Sequence, residues 1–164
     1  MAEQEVNQNE FELKSLNSDI PTFVGFINKS RNDARAWWLD FDGVPVSYGD
    51  IRPGALLRMD TFLTHPWVFR DTRNGAKLLT NLKEVHMPIP TEYDEDGDPA
   101  YLSVIINNPV YSLLDSCLML IRSLVRFEHY HRLDIPAALK QELQRHPDIV
   151  NDLRLLHSTR TSER

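Results

Sequence analysis

The stretch SLLDSCLMLI at residues 112–121, continued by RSLV at 122–125, decides how this chain is organised. Placed on a helix over 110–126, its apolar side chains fall into two adjacent stripes. The first stripe contains Val110, Leu113, Cys117, Leu120, Ile121 and Leu124. The second stripe contains Leu114, Leu118, Ile121 and Val125. A helix this apolar is normally buried on most sides, yet a helical unit of about forty residues has little core in which to bury it.

The surplus apolar surface has two explanations that spacing alone does not separate. In the first, one stripe packs on the helices that follow and the other lies in the groove of a partner protein. The side chains available for that packing are Leu133, Ile135, Leu139 and Leu143. In the second, the part of the chain that precedes the helix covers both stripes.

The residues before this helix have the texture of a β domain. About seven short runs rich in aromatic and branched side chains alternate with turn signals. The predicted strands are 22–28, 36–41, 55–62, 67–71, 77–82, 84–89 and 100–106. Asp42-Gly43, Asn74-Gly75 and Asp96-Gly97 are strong hairpin signals between them. This pattern predicts an antiparallel β-sandwich or barrel.

Two further helices are predicted after the first, from Pro136 to Arg145 and from Pro147 to about His157, since proline suits a first helical turn. The fold class is therefore α+β, an antiparallel β-sandwich followed by a small three-helix α domain whose last helix packs back on the sandwich. The predicted boundaries are a disordered tail at 1–14, the sandwich at 15–108, a helical domain at 109–146, the returning helix at 147–158 and a tail at 159–164.

Composition limits the function without defining it. The formal net charge is −6 and the basic residues are scattered, which argues against nucleic acid as a partner. No apolar run approaches the roughly 20 residues of a membrane span, and the polar, acidic N-terminus is unlike a signal peptide. One cysteine cannot form an intramolecular disulfide, which favours the cytoplasm and nucleus.

No motif indicates a metal, a cofactor or a catalytic centre. Asp94, Asp96 and Asp98 resemble a calcium loop only superficially, because Gly97 is misplaced and the final glutamate is missing. The histidines lack a converging spacing, so a metal site is not expected. Cys117 lies mid-helix among leucines and is interpreted as a packing residue rather than a nucleophile.

Aromatic and imidazole side chains are concentrated in the first half of the β region. They are Trp37, Trp38, Tyr48, Phe62, His65 and Trp67. Trp37 and Trp38 are neighbours in a predicted strand and therefore point to opposite faces of the sheet. Such side chains can line a shallow cleft, but sandwiches also hold aromatics in the core, and the residues alone favour the core.

Several motifs together resemble one known family. Ser112, Leu113, Cys117 and Ile121 match the elongin C-binding box, [Ser/Thr]-Leu-x-x-x-Cys-x-x-x-[Ile/Val]. In order and spacing, the chain is similar to the von Hippel–Lindau family through WLDFDG (38–43), THPWVFRD (64–71), NPVYSL (108–113), CLMLIRSLV (117–125) and YHRLDI (130–135). The resemblance runs from about Leu16 to His157 and implies the same sandwich and three-helix arrangement.

The resemblance implies two binding sites. The first is a pocket for 4-hydroxyproline in the degron of hypoxia-inducible factor alpha subunits. Its matching positions are Trp38, Tyr48, Thr61, His65 and Trp67, with Asn17, Asp60 and Phe62 along the peptide. The second site binds elongin C, and its matching positions are Ser112, Leu113, Cys117, Leu120, Ile121 and Leu124.

Three positions depart from the family pattern. Thr61 stands where serine is usual, Asp60 replaces a histidine and Asp19 replaces an arginine. The two aspartates make the groove more acidic, so a degron with acidic flanks is expected to bind less well. The departures also favour a member from outside the vertebrates.

The function implied by the resemblance is that of a substrate-recognition subunit of a cullin-type E3 ubiquitin ligase, without catalytic residues or cofactors of its own. Its partners would be elongin C, elongin B, the cullin and RING subunits and a prolyl-hydroxylated hypoxia-inducible factor alpha subunit, which it would target for ubiquitination and proteasomal degradation. The alternative is a non-degradative scaffold whose helical unit serves dimerisation. In either case Arg70 is expected to tie the sandwich to the helices through a charge-assisted hydrogen bond.

Overall fold

The computed structural model describes residues 13–162, which form a β domain followed by helices. The strands are β1 (Pro21–Asn28), β2 (Ala34–Leu39), β3 (Pro45–Ile51), β4 (Leu56–Phe62), β5 (Trp67–Asp71), β6 (Lys77–Thr80) and β7 (Leu102–Asn107). They join in the order β3-β2-β5-β6-β7-β1-β4. The predicted α+β class is confirmed.

The sheet folds over so that its two halves face each other across a core. Phe26 of β1 meets Phe69 of β5, with ring centroids 4.8 Å apart. Buried side chains from both halves surround this contact: Val24, Ala34, Ala36, Ile51, Trp67, Leu78, Val104 and Ile106. Burial of this much apolar surface gives the β domain a core of its own.

Two details of the sheet differ from the sequence prediction. β1 pairs with β4 antiparallel but with β7 parallel, so the sheet is mixed. β3 was not predicted, because Pro45 and Gly49 read as turn residues; it lies at the edge of the sheet, where proline is tolerated. In contrast, predicted strand 84–89 forms only an isolated bridge between His86 and Trp67.

Four helical segments follow the sheet. They are α1 (Leu113–Leu124), a 3₁₀ helix (Phe127–Arg132), α2 (Ala137–Gln144) and α3 (Ile149–Ser162). The 3₁₀ helix was not predicted, and α3 continues through residues 159–162, which were expected to be tail. None of the helices within residues 13–162 is long and apolar enough to cross a membrane.

α3 packs back on the sandwich, on the face of β2 and β5 opposite the main core. Leu153 is buried there with Leu39, Val68 and Val85. Leu13 belongs to the same cluster and is buried, although residues 1–14 were expected to form a tail; residues 1–12 lie outside the described part of the chain. Because α3 covers the second face of β5, every residue of that strand is buried.

The helical unit has a much smaller core. Its buried residues are Leu118, Tyr130 and Leu143, with Ile121, Val125, Leu133 and Ile135 partly buried around them. Leu118, Ile121 and Val125 of the second stripe therefore pack on the later helices, as the first explanation required, whereas Leu114 is exposed. The β domain does not cover the first stripe, so the other explanation is wrong.

Candidate peptide-binding site and partner surface

An aromatic cluster lies at one end of the β domain, where three strands bring distant residues together. β2 and β5 pair so that Trp38 is directly opposite Trp67, and Tyr48 comes from edge strand β3. The ring centroids of Tyr48 and Trp67 are 5.1 Å apart, and those of Trp38 and Tyr48 are 6.1 Å apart, both in edge-to-face geometry. Trp67 is fully buried, whereas Tyr48 is 46% exposed. The cluster is thus open to solvent on its Tyr48 side.

His65 closes the cluster on the side away from Tyr48. Its ring stacks on Trp38 with centroids 5.0 Å apart, and Phe62 lies 5.0 Å from it. Burial lowers the pKa of His65, and a hydrogen bond to the Asn17 backbone partly opposes this. At neutral pH the imidazole is therefore neutral, with one donor and one acceptor nitrogen.

Thr61 provides a buried hydroxyl at the floor of the cluster. Its Oγ1 accepts a hydrogen bond of 3.1 Å from the indole Nε1–H of Trp67. Within residues 13–162, no acceptor for the Thr61 hydroxyl hydrogen is found. The Thr61 hydroxyl is therefore available to donate to a ligand oxygen in the cluster.

The remaining predicted peptide contacts lie around this cluster rather than in it. The backbone of Asn17 bonds to Thr64 Oγ1 in both directions, at 3.1 and 2.9 Å, which places it beside His65. Asp60 points away from the cluster, since neighbouring residues of a strand alternate between faces. Its carboxylate accepts a 2.8 Å hydrogen bond from Tyr101. The structure does not bring the Asp60 side chain to the aromatic cluster.

Two members of the site were missed by sequence reasoning. Phe41 packs edge-on against both Trp38 and His65, at 5.7 Å from each. Ser15 Oγ accepts a 2.7 Å hydrogen bond from the indole of Trp38. Phe41 could have been noticed in the run AWWLDF, but nothing in the sequence marks Ser15, which is 23 positions from its partner.

A second candidate surface is the first stripe of α1. Leu113 is 82% exposed, Leu124 74% and Leu120 59%, and Cys117 lies exposed between them. Cys117 therefore does not pack within this chain, which corrects its interpretation as a packing residue. Ile121 differs from the others because it packs against the helical core. The stripe is a contiguous apolar surface of the kind that marks an interaction site.

Ser112 acts at the start of this helix rather than on its apolar face. Its hydroxyl accepts a 3.0 Å hydrogen bond from the backbone N–H of Asp115, and the Asp115 carboxylate accepts from the Ser112 backbone N–H. This reciprocal capping box satisfies two backbone donors that a helix start leaves unpaired. The physical reason for serine or threonine at this motif position is thus helix capping.

The fold and the two surfaces define a class: a β-sandwich with an aromatic recognition cleft, joined to a helical unit that presents an uncovered apolar stripe. Comparison with known proteins specifies the class further. The family model described as VHL beta domain matches residues 13–94, and the model described as VHL box domain matches residues 111–159. Protein Vhl of Drosophila melanogaster is 28% identical over 136 residues, which cover 76% of each chain.

The chain belongs to the VHL family. It is accordingly a substrate-recognition subunit of the VHL type, which works in an elongin- and cullin-containing E3 ubiquitin ligase. The exposed stripe of α1 lies within the matched VHL box, and the aromatic cluster lies within the matched β domain.

Proposed function

We propose that the aromatic cluster binds 4-hydroxyproline in the degron of a hypoxia-inducible factor alpha subunit. The observation that carries this proposal is the cluster of Trp38, Tyr48 and Trp67, with neutral His65 stacked on Trp38 and the buried Thr61 hydroxyl bonded to Trp67. The indole and phenol rings offer flat apolar walls to a pyrrolidine ring. The two polar groups offer a donor and an acceptor to a single added oxygen.

Selectivity would follow from what an unmodified proline leaves unpaired. When plain proline enters, it displaces water from Thr61 and His65 without replacing the hydrogen bonds. Each unpaired buried group costs about 1–3 kcal/mol, so discrimination of roughly a hundredfold or more is expected. One oxygen atom on the degron would then act as a switch for ubiquitination.

The exposed stripe of α1 is the proposed contact for elongin C. Leu113, Cys117, Leu120 and Leu124 would enter the partner groove, while Ser112 caps the helix and Ile121 supports it from inside. Elongin C would bring elongin B and the cullin and RING subunits. The chemistry of ubiquitin transfer would belong to those partners, and this chain would contribute no catalytic residue.

The aromatic cluster is tested by calorimetric titration. The chain is assembled with elongins B and C, and two degron peptides that differ by one proline hydroxyl are titrated into it. The wild type should prefer the hydroxylated peptide by about a hundredfold. Thr61→Val should lose most of that preference. Thr22→Val is a matched control, because Thr22 is also buried and lies opposite Thr61 on β1. Equal affinities of the wild type for both peptides would refute the proposal.

The test of the partner surface is co-purification with elongin C. Leu113→Ala and Cys117→Arg should abolish it, while Leu155→Ala, which changes an exposed leucine of α3, should not. If both α1 variants kept elongin C, the contact would be assigned wrongly. Self-association through the same stripe without elongin C would favour the scaffold alternative.

A further inference from the structure

Residues 13–18 form a segment, here named the strap, that contacts α3 at one end and the aromatic cluster at the other. At the α3 end, Leu13 is buried in the same apolar cluster as Leu153 and Leu39. The backbone N–H of Leu13 also donates to His157 Nδ1 of α3, at 3.5 Å. The start of the strap is therefore held in place partly by α3.

Ser15 links the strap to Trp38 of the aromatic cluster. It is almost fully buried, and its hydroxyl donates a 2.6 Å hydrogen bond to the Leu39 carbonyl. The same oxygen accepts the indole N–H of Trp38 at 2.7 Å. Its backbone N–H donates to the Asp40 carbonyl at 3.0 Å. The side-chain bond to Leu39 and the backbone bond to Asp40 thus fix Ser15, whose hydroxyl oxygen orients the Trp38 indole.

The other end of the strap contacts His65, whose ring stacks on Trp38. Ser18 Oγ lies 3.4 Å from Nε2 of His65, and the Asn17 backbone is fastened to Thr64. Trp38 and His65, which stack on each other, therefore both have polar contacts to the strap. Displacing the strap would leave the Trp38 indole N–H without its acceptor.

The docking of α3 contains features that disfavour it. Arg70 of β5 bonds to Asp152 of α3 at 3.2 Å, but burial of its guanidinium opposes the charge. Arg70 Nε and Trp37 Nε1 are buried without a hydrogen-bond partner among the described residues. Both residues are on the sheet face that α3 covers, and buried unpaired donors reduce the stability of the docked arrangement. Docking of α3 is therefore less favourable than its apolar contacts alone would make it.

We propose that the strap couples α3 docking to the aromatic cluster, so that Trp38 and His65 are held in binding geometry only while α3 lies on the sandwich. Ser15 is the positioning residue in this coupling. Undocking of α3 removes part of the burial of Leu13 and its bond to His157, loosens the strap and frees the Trp38 indole. The consequence for hydroxyproline affinity rests on the proposed function, whereas the consequence for Trp38 geometry does not.

The experiment uses the full chain in complex with elongins B and C, with ¹⁵N-labelled tryptophan only in this chain. Its three tryptophans give three indole N–H signals. Leu153→Ala weakens α3 docking strongly, and Asp152→Asn weakens it mildly should the first variant fail to fold. Leu155→Ala is the matched control, since Leu155 is exposed on the same helix. The signal of Trp67, bonded to Thr61, serves as the internal reference.

Asp152→Asn and Leu153→Ala should shift the Trp38 indole signal, accelerate its hydrogen exchange and weaken hydroxylated-peptide binding at least fivefold, with the Trp67 signal unchanged. Ser15→Ala should shift the Trp38 signal directly, and adding Asp152→Asn to it should have no further effect on affinity. The coupling is refuted if folded α3 variants give the same Trp38 signal as Leu155→Ala. If the wild type shows no preference for the hydroxylated peptide, the proposed function fails and the indole signals alone decide the coupling.

Discussion

The β domain and the helical unit use the same kinds of apolar residue in opposite ways. In the β domain, Phe26, Phe69, Leu78 and Ile106 are fully buried within the chain. In the helical unit, leucines of α1 remain exposed while only Leu118, Tyr130 and Leu143 are buried. The main core of the β domain is formed by its own strands and α3 covers its second face, whereas α1 leaves an apolar stripe uncovered within the described residues. The apolar content of a segment therefore does not show whether its side chains are buried within the chain or left exposed for a partner.

The largest predicted effect compares one leucine from each region. Leu78→Ala should destabilise the chain by about 2–5 kcal/mol, because it leaves a cavity in the main core. Leu120→Ala should change the stability of the free chain by less than about 0.5 kcal/mol, because its side chain already lies in water. Denaturant titration of the free chain measures both values. Similar destabilisation by the two variants would mean that α1 is covered within this chain.

Partner binding should reverse that ranking. With elongin C present, Leu120→Ala should weaken the complex, whereas Leu78→Ala should leave the affinity of the folded fraction unchanged. The free energy of the exposed stripe would then be realised only in the complex. Titration of elongin C into each variant provides the measurement.

A pH effect is predicted for the β domain. His86 is buried beside Phe26, and loss of hydration lowers its pKa from 6.5 to about 4. Between these values the unfolded chain binds more protons than the folded chain, so stability is complete above pH 6.5 and is lost as the pH falls towards 4. The loss should reach up to about 3 kcal/mol. Denaturant titrations at pH 7 and pH 4.5 measure it, and His86→Phe should flatten the dependence.

Sequence patterns predicted the regular parts of the fold well and the site only in part. Strands with short runs of aromatic and branched residues, such as β5, and helices that begin near proline, such as α2, were predicted because local chemistry defines them. β3 was missed because its Pro45 and Gly49 resemble a turn, and only its edge position makes them acceptable. Segment 84–89 was predicted as a strand from its apolar residues, but it forms only an isolated bridge through His86, with Val85 buried and Met87 and Ile89 exposed.

Within the site, the limit of sequence reasoning was long-range contact. The resemblance named Trp38 and Thr61, and the structure places both in one cluster through pairings between distant strands. Ser15 could not be found, because its role depends on a hydrogen bond to a residue far along the chain. The burial of Leu13 depends likewise on α3, which is more than a hundred residues away.

The ion pair that joins β5 to α3 gives a smaller predicted effect. The expected Arg70 contact is present, made to Asp152 of α3. Arg70→Met should destabilise α3 docking by about 1–2 kcal/mol, since Asp152 keeps some access to water and can be partly solvated. The double variant Arg70→Met with Asp152→Leu should recover most of this loss, because a buried ion pair can often be replaced by apolar side chains. Proteolysis between α2 and α3 reports docking; unchanged cleavage in the single variant would contradict the prediction.

The smallest predicted effect concerns the first residue of the elongin C-binding box. Ser112→Ala removes the side-chain cap of α1 and should destabilise the helical unit by about 1 kcal/mol, while Ser112→Thr should retain most of the stability. Hydrogen exchange of the α1 amides in the free chain measures this directly, with the β-domain amides as the reference. Because the hydroxyl acts within the helix, elongin C affinity should fall only by the free energy needed to restore α1. A larger loss of affinity than of helix stability would mean that Ser112 also contacts the partner, and a motif position attributed here to capping would instead belong to the interface.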